Sequence, residues 1–418
     1  MSRNEKKIED LEAFASKFSN SQYADDALYE LGNTYVNENK IDKAIATYDK
    51  LINQHKNSSY VSKSLVKQGL IYYNGNQSEK ALIKFKKIAE DYPRTPEALE
   101  AVATARLIYI DNGNVNEYAD WVKGLGYVDV SDADLDNTLY ESAEKQYLQN
   151  NAKAAITGFA NYINKFPNGI HSLKANFYIA QLYYADNSLE NAAKHYAFVT
   201  NKNRNEFTEQ SLARLSEIYL KNKDYDKAIP VLKTLESQAD FPQNVTYAQS
   251  NLMKSYYEKQ DYANAVIYAE KVLTNTKTDD RVKSDAQIII ARAAIKTNDE
   301  VKAKDAYAKL LKIAKGELAA EALYYDAYFK NKEAKYEASN TVVQKLAKDY
   351  SGYKYFGAKG LIIMAKNFYA LKDSFQATYI LESVIKNFTE YTDVVEEAQK
   401  ELDIIKAEEA KRNASITE

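Results

Sequence analysis

The sequence predicts an all-α solenoid of about ten helix pairs. Three observations carry that prediction: a repeat of about 37 residues, apolar stripes at helical spacing, and a shortage of turn formers. The chain has 418 residues but only 12 Gly and 5 Pro, about 4% together against roughly 12% in average usage. Sandwiches, barrels and phosphate-binding α/β folds need far more glycine in their turns. Paired helices joined by short loops need little.

The repeat is read by laying Leu28-Tyr-Glu-Leu31-Gly32-Asn-Thr-Tyr35 and Ala44-Ile-Ala-Thr-Tyr48 over Leu65-Val-Lys-Gln-Gly69-Leu-Ile-Tyr72 and Ala81-Leu-Ile-Lys-Phe85, each 37 residues on. An alanine register continues through Tyr118, Ala155, Ala192, Ala228, Ala265, Ala303, Ala338 and Ala377. A period in this range means stacked supersecondary units. Within a unit, the first helix carries large apolar residues at i, i+3 and i+7 and a small one at i+4, as in Leu212, Leu215, Ser216, Tyr219 and Leu361, Met364, Ala365, Phe368. That spacing makes one helical stripe, and the small residue marks a close helix crossing. The second helix carries the register alanine and apolar residues four and seven further on, as in Ala44, Tyr48, Leu51 and Ala303, Tyr307, Leu310. Polar turns such as Asn37-Glu-Asn39 and Lys259-Gln-Asp261 join the two. Pro93, Pro167 and Pro242 are expected to close units, where no helical N–H is needed.

The pattern L-x2-L-G-x2-Y, an alanine nine residues after the tyrosine, then an aromatic and a late proline, resembles the tetratricopeptide repeat (TPR). The resemblance covers about residues 21–390, ten units, and implies a right-handed α-solenoid whose first helices line a binding groove. The family period is 34; the surplus here falls in linkers between units such as Asp91-Tyr-Pro-Arg-Thr-Pro-Glu97. Such linkers, with Phe166-Pro-Asn-Gly169 and Lys372-Asp-Ser-Phe-Gln-Ala377, look similar to those of large bacterial cell-envelope TPR proteins and lipoproteins. By resemblance the groove positions are Tyr29, Asn33, Tyr73, Tyr140, Tyr147, Phe177, Gln181, Tyr184, Lys254, Tyr257, Arg292, Tyr324, Lys366 and Tyr369. Tyr brings a large ring and one hydrogen bond at low rotamer cost, which suits recognition. The stripe tyrosines Tyr35, Tyr72, Tyr183, Tyr219 and Tyr256 are expected in the core. The Lys/Asn carboxylate clamp of chaperone co-factors is incomplete: Asn33 fits, but Tyr29 stands where Lys is required, and Lys63 and Lys67 occupy the next unit.

Both ends have an expected role. Residues 1–20, with Ile8, Leu11, Phe14 and Phe18, read as the second helix of a truncated upstream repeat. Further repeats and an export signal are expected before Met1, and the uncapped N-terminal face is a candidate contact. Residues 391–412 read as a capping helix with the stripe Val395, Ala398, Leu402 and Ile405, and residues 413–418 as a frayed tail. One unit, near 100–131, is irregular: Tyr118 replaces the register alanine, and the segment Trp121–Val130, with Gly124 and Gly126, interrupts the pattern. It reads as a loop that either kinks the stack or docks a partner through Trp121 and Tyr127.

No chemistry stands out. Charge is balanced, 56 basic against 59 acidic residues, which argues against a general nucleic-acid surface. Cysteine is absent and histidine occurs three times, so disulfides, thiolate metal sites and cysteine nucleophiles are excluded. No run reaches the roughly 18 apolar residues of a membrane span. H-E-x-x-H, G-x-S-x-G and G-x-x-x-x-G-K-[ST] do not occur. No cofactor, metal or catalytic residue is assigned, and no enzyme activity is expected. The expected function is a non-enzymatic scaffold that binds protein, either peptide segments or other subunits. It is expected to lie in the periplasm or outer-membrane envelope of a bacterium. A cytoplasmic adaptor, or a scaffold stacking cell-wall glycans on its Tyr, Asn and Gln, are the alternatives.

Overall fold

The computed structural model describes residues 3–275 and 278–416, with side chains omitted for Arg3 and 413–416. Among the described residues there are twenty-two helices and no strand. The chain divides into two compact units, Met1–Asn205 and Glu206–Glu418. In the first, α1 (Arg3–Lys17) precedes five pairs: α2/α3 (Ala24–Asn37, Ile41–Gln54), α4/α5 (Tyr60–Asn74, Ser78–Asp91), α6/α7 (Pro96–Asn112, Val115–Leu125), α8/α9 (Asp132–Leu148, Ala152–Lys165) and α10/α11 (Ser172–Ala185, Leu189–Thr200). In the second are five more: α12/α13 (Thr208–Lys221, Tyr225–Gln238), α14/α15 (Pro242–Glu258, Tyr262–Thr274), α16/α17 (Asp280–Lys296, Glu300–Leu310), α18/α19 (Gly316–Lys332, Tyr336–Asp349) and α20/α21 (Lys354–Ala370, Ser374–Asn387). The last helix, α22 (Thr392–Ile416), packs on α20 and α21. Helices consecutive within a unit pack on one another, which is the α-solenoid arrangement.

One crossing recurs in every pair but the third. Twelve residues before the register position the first helix carries a residue that meets, or stands opposite, the one four residues after it on the second helix. A Cβ added at Gly69 would lie 2.6 Å from the Phe85 ring, and one at Gly32 would enter the ring of Tyr48. At these positions the sizes trade off: Ala143 with Phe159, Ala180 with Tyr196, and Met253 with Ala269, all buried. Close packing tolerates the swap because total volume is kept.

The turn is equally regular. Asn39, Asn76, Gly113, Asn150, Asn187, Lys223, Gln260, Asn298, Ala334 and Lys372 each lie five residues before a register position with φ between 55° and 76°. The next N–H reaches back to the first helix, Lys40 to Tyr35 O at 2.8 Å and Lys335 to Lys330 O at 2.9 Å. This is the left-handed helix termination that favours Gly and Asn.

These two rules correct the register in the ninth pair. Ala338 is exposed; Ser339, five residues after Ala334, holds the buried position, and its hydroxyl donates to Ala327 O at 2.8 Å. Alanine and serine are both small enough, so spacing from the turn decides. The apolar stripe of α22 likewise runs through Val394, with Ala398, Leu402 and Ile405, while Val395 is half-buried. The expected tail at 413–418 is helical backbone as far as Ile416, and 417–418 lie outside the described residues, as do 1–2. Pro242 opens α14 at its first turn, where the missing N–H costs nothing. Of the stripe tyrosines, Tyr35 and Tyr256 are buried, and Tyr72, Tyr183 and Tyr219 are half-buried at the helix ends. Trp121 belongs to α7, not to a loop: α7 continues to Leu125 and ends at Gly126 (φ 66°). Gly124, which read as a breaker, is tolerated inside the last turn.

Two further groups tie helices together. Asp136 is 6% exposed and accepts the Tyr162 hydroxyl (2.6 Å) and the Ile170 N–H (3.1 Å). Gly169 sits against both side chains, and any Cβ there would collide with them. His195 pairs its Nδ1 with Asn176 Oδ1 at 2.7 Å, between α10 and α11. Burial pulls its pKa down from 6.5 to about 4.

Three outcomes follow. Gly69→Ala should lower the unfolding free energy by roughly 1–3 kcal/mol, because the ring of Phe85 must shift; chemical denaturation measures it. Ala334→Gly should raise stability by about 1 kcal/mol, since it relieves a left-handed alanine. His195 is neutral when folded, so the unfolded chain binds the extra proton as acid is added. Its contribution is complete above pH 6.5 and is lost as pH falls toward about 4. Thermal melts across that window should fall less steeply for His195→Gln than for the parent.

Candidate partner-binding face

First helices of successive pairs touch directly, α2 with α4, α4 with α6 and α6 with α8 in the first unit, and α14 with α16, α18 with α20 and α20 with α22 in the second. The residues expected to line a groove lie on these helices.

In the first unit they form aromatic pairs. Tyr29 stacks on Tyr60 with centroids 4.8 Å apart. Burial pushes the Tyr29 phenol up, and Glu30, Glu97 and Glu100 act in the same direction. Asn33 accepts the Tyr48 hydroxyl at 2.8 Å, so its oxygen is already engaged. Tyr73 donates to Asp111 Oδ2 at 3.2 Å, and Lys145 pairs with the other oxygen. Tyr147 stacks on Tyr178 at 4.7 Å and donates to Gln181 Oε1 at 2.9 Å. Tyr184 is half-buried, edge-on to Tyr196 at 6.5 Å.

In the second unit the face is laced by charge. Lys254 reaches Asp285 at 2.6 Å. Arg292 grips Glu321 with two donors, Nε at 2.9 Å and Nη2 at 2.5 Å, and the Tyr307 hydroxyl adds a third bond at 2.9 Å. Glu321 is 4% exposed, so the carboxylate is desolvated but fully partnered. That pairing raises the Arg292 pKa, and burial raises that of Tyr307. Tyr257 lies against Tyr262 at 5.5 Å, and Tyr324 against Phe356 at 6.2 Å. Lys366 pairs with Glu401 at 2.9 Å. Tyr369 donates to Glu408 at 2.8 Å, which pushes its phenol to about 12.

Two expected groove residues are not on the open face. Tyr140 is 3% exposed, covered by the His171 ring stacked on it at 4.1 Å. Phe177 is 4% exposed and sits edge-on to Tyr196 at 6.4 Å. The two candidate docking residues also turn inward. Trp121 packs among Tyr109 and Tyr118, and Tyr127 donates to Ala89 O at 2.7 Å, pinning its loop to α5. Missed were the partners Asp111, Asp285, Glu321, Glu401 and Glu408, one repeat away from the residues they hold. Their signal was an acid 29–39 positions after a Lys, Arg or Tyr. Among the described residues, no three His, Asp or Glu side chains converge as a metal site, and no helix is long and apolar enough to cross a membrane.

The family described as tetratricopeptide repeat matches residues 26–58 and 63–95, one helix pair each, and the family described as tetratricopeptide repeat-like domain matches residues 122–249. No curated protein matches the chain. Among solved structures it is similar to the crystal structure of the P58(IPK) TPR domain, at 12% identity over 92% of this chain and 99% of that one, with a TM-score of 0.27. It is also similar to the structure from the functional characterization of Pseudomonas aeruginosa pilF, at 13% identity over 54% of this chain and 97% of that one, with a TM-score of 0.26. Those family matches fall on helix pairs built to one crossing and one turn, and the same pair recurs on either side of them: the chain is a tetratricopeptide-repeat protein.

Proposed function

We propose that this protein-binding scaffold holds protein segments along the first-helix face, and that it works in a bacterial envelope assembly without catalysing a reaction. The supporting observation is how the polar groups of the face are engaged. Arg292, Lys254, Lys366, Asp111 and Glu321 are each committed to a neighbouring helix. The rings of Tyr29, Tyr73, Tyr147, Tyr184, Tyr257 and Tyr369 on the first helices are half-buried. Pre-ordered rings offer apolar area and a hydrogen bond at little entropic cost, which suits an extended peptide. The envelope setting is supported by the resemblance of the inter-repeat linkers and by the absence of cysteine.

Site-specific photo-cross-linking in the native cell tests this. A cross-linking residue at Tyr73 or Tyr369 should capture a protein partner in the envelope fraction. One at Ile83 or Val301, exposed on second helices, should capture none. Capture from the second helices alone would overturn the binding face, and capture only in the cytosolic fraction would overturn the envelope setting.

A further inference from the structure

The third pair breaks the crossing rule. The position twelve before the register holds Gly32, Gly69, Ala143, Ala180, Ser216, Met253, Ala291, Ala327 and Ala365 elsewhere, all uncharged. In the third pair it holds Arg106, and the register position holds Tyr118. Two small residues have become large at one crossing, and only Val122 answers them on α7. Leu125, whose counterparts such as Leu51 and Leu310 are fully buried, is half-buried. Helix α7 stops at eleven residues where α5 and α9 have fourteen. An open cleft of about 450 Å³ results, lined by α6, α8, Tyr118 and the segment Val128–Val130.

We propose that this cleft takes the side chain of a lysine or arginine from a bound protein segment. The inference rests on the scaffold reading above and names the chemistry of one contact within it. Its walls are apolar: Leu99, which is 51% exposed, Val102, Val128 and Val130. These suit an aliphatic stem. Its rim carries Asp129, Asp134 and Glu141 against the single cation Arg106. Arg106 is used as a brace from α6 to α8, with Nε donating to Thr138 Oγ1 at 2.9 Å and Nη2 to Glu141 Oε2 at 2.6 Å. Its charge offsets Glu141 and also acts on Asp134, which leaves Asp129 as the carboxylate facing no cation of the lining. Ser131 caps α8, and Asp134 Oδ2 accepts its hydroxyl and N–H; those hydrogen bonds hold the Asp134 carboxyl below the usual range, so it stays ionised. A guest with an apolar stem and a positive head satisfies both walls and rim. An acidic guest meets repulsion, and a purely apolar one desolvates the aspartates without compensation.

The chain carries its own reporter. Trp121 is the only tryptophan, and its ring lies 6.3 Å from that of Tyr118 in the cleft wall. The full chain is titrated with the blocked peptide Leu-Arg-Val, and with Leu-norleucine-Val and Leu-Glu-Val, while Trp121 emission is followed. A saturable change is expected with the arginine peptide, roughly fivefold weaker with norleucine and absent with glutamate. Asp129→Asn should weaken the arginine peptide roughly two- to fivefold, with an unchanged melting temperature. No saturable response to arginine, or equal binding of norleucine, overturns the proposal. Photo-cross-linking separates this failure from failure of the scaffold: partner captured from Tyr73 and Tyr369 but never from a cross-linker at Ala103 leaves the scaffold standing and removes the cleft.

Discussion

Everything in this chain depends on how closely two helices of a pair can approach. The approach is set where a small residue on one helix admits a large one from the other. Gly69 and Phe85 show the tight form, with no room for a methyl group. Met253 and Ala269 show the reverse form with the same total volume. A pair locked in this way is a thin plate with apolar sides. It buries those sides only against the next plate, so each pair is stabilised by its neighbours rather than by a central core. The left-handed turn residue five places before the register sets the angle at which the second helix folds back.

Given that stacking, the first helices of adjacent pairs come within side-chain reach and bond across the boundary. Lys254 with Asp285, Arg292 with Glu321 and Lys366 with Glu401 run in the same direction, cation first. Of these, Lys254 with Asp285 and Lys366 with Glu401 are partly exposed and contribute little stability each. Their larger effect is on the surface they leave behind, because charges already paired compete poorly for a partner's. On the proposed reading, specificity falls to the half-buried tyrosine rings and to places where the pattern fails. The third pair is such a place, since Arg106 cannot serve at a helix crossing and instead spans to α8.

The sequence made the architecture plain because the crossing and the stripes are local in each helix. Ten pairs, a leading helix and a terminal helix were all legible. The register slipped where two similar residues stood side by side, at Ala338 and Ser339 and at Val394 and Val395, and periodicity has no means of choosing between them. Trp121 looked like a loop residue because two glycines follow it, yet α7 carries the first of them within its last turn. The face was legible as a set of positions and not as contacts. Whether Tyr140 is open or covered depends on where His171 lands from another pair, and Asp111 as the meeting point of Tyr73 and Lys145 depends on three helices at once. Such facts follow from stacking geometry, which lies beyond any pattern within one repeat.

Native-state hydrogen exchange, read helix by helix, tests most directly whether each pair leans on its neighbours. The account predicts graded protection: intermediate opening energies that change from pair to pair, lowest in the less extensively packed α6/α7 pair and at the chain ends. A single opening energy shared by every protected amide would mean one cooperative core and would contradict it.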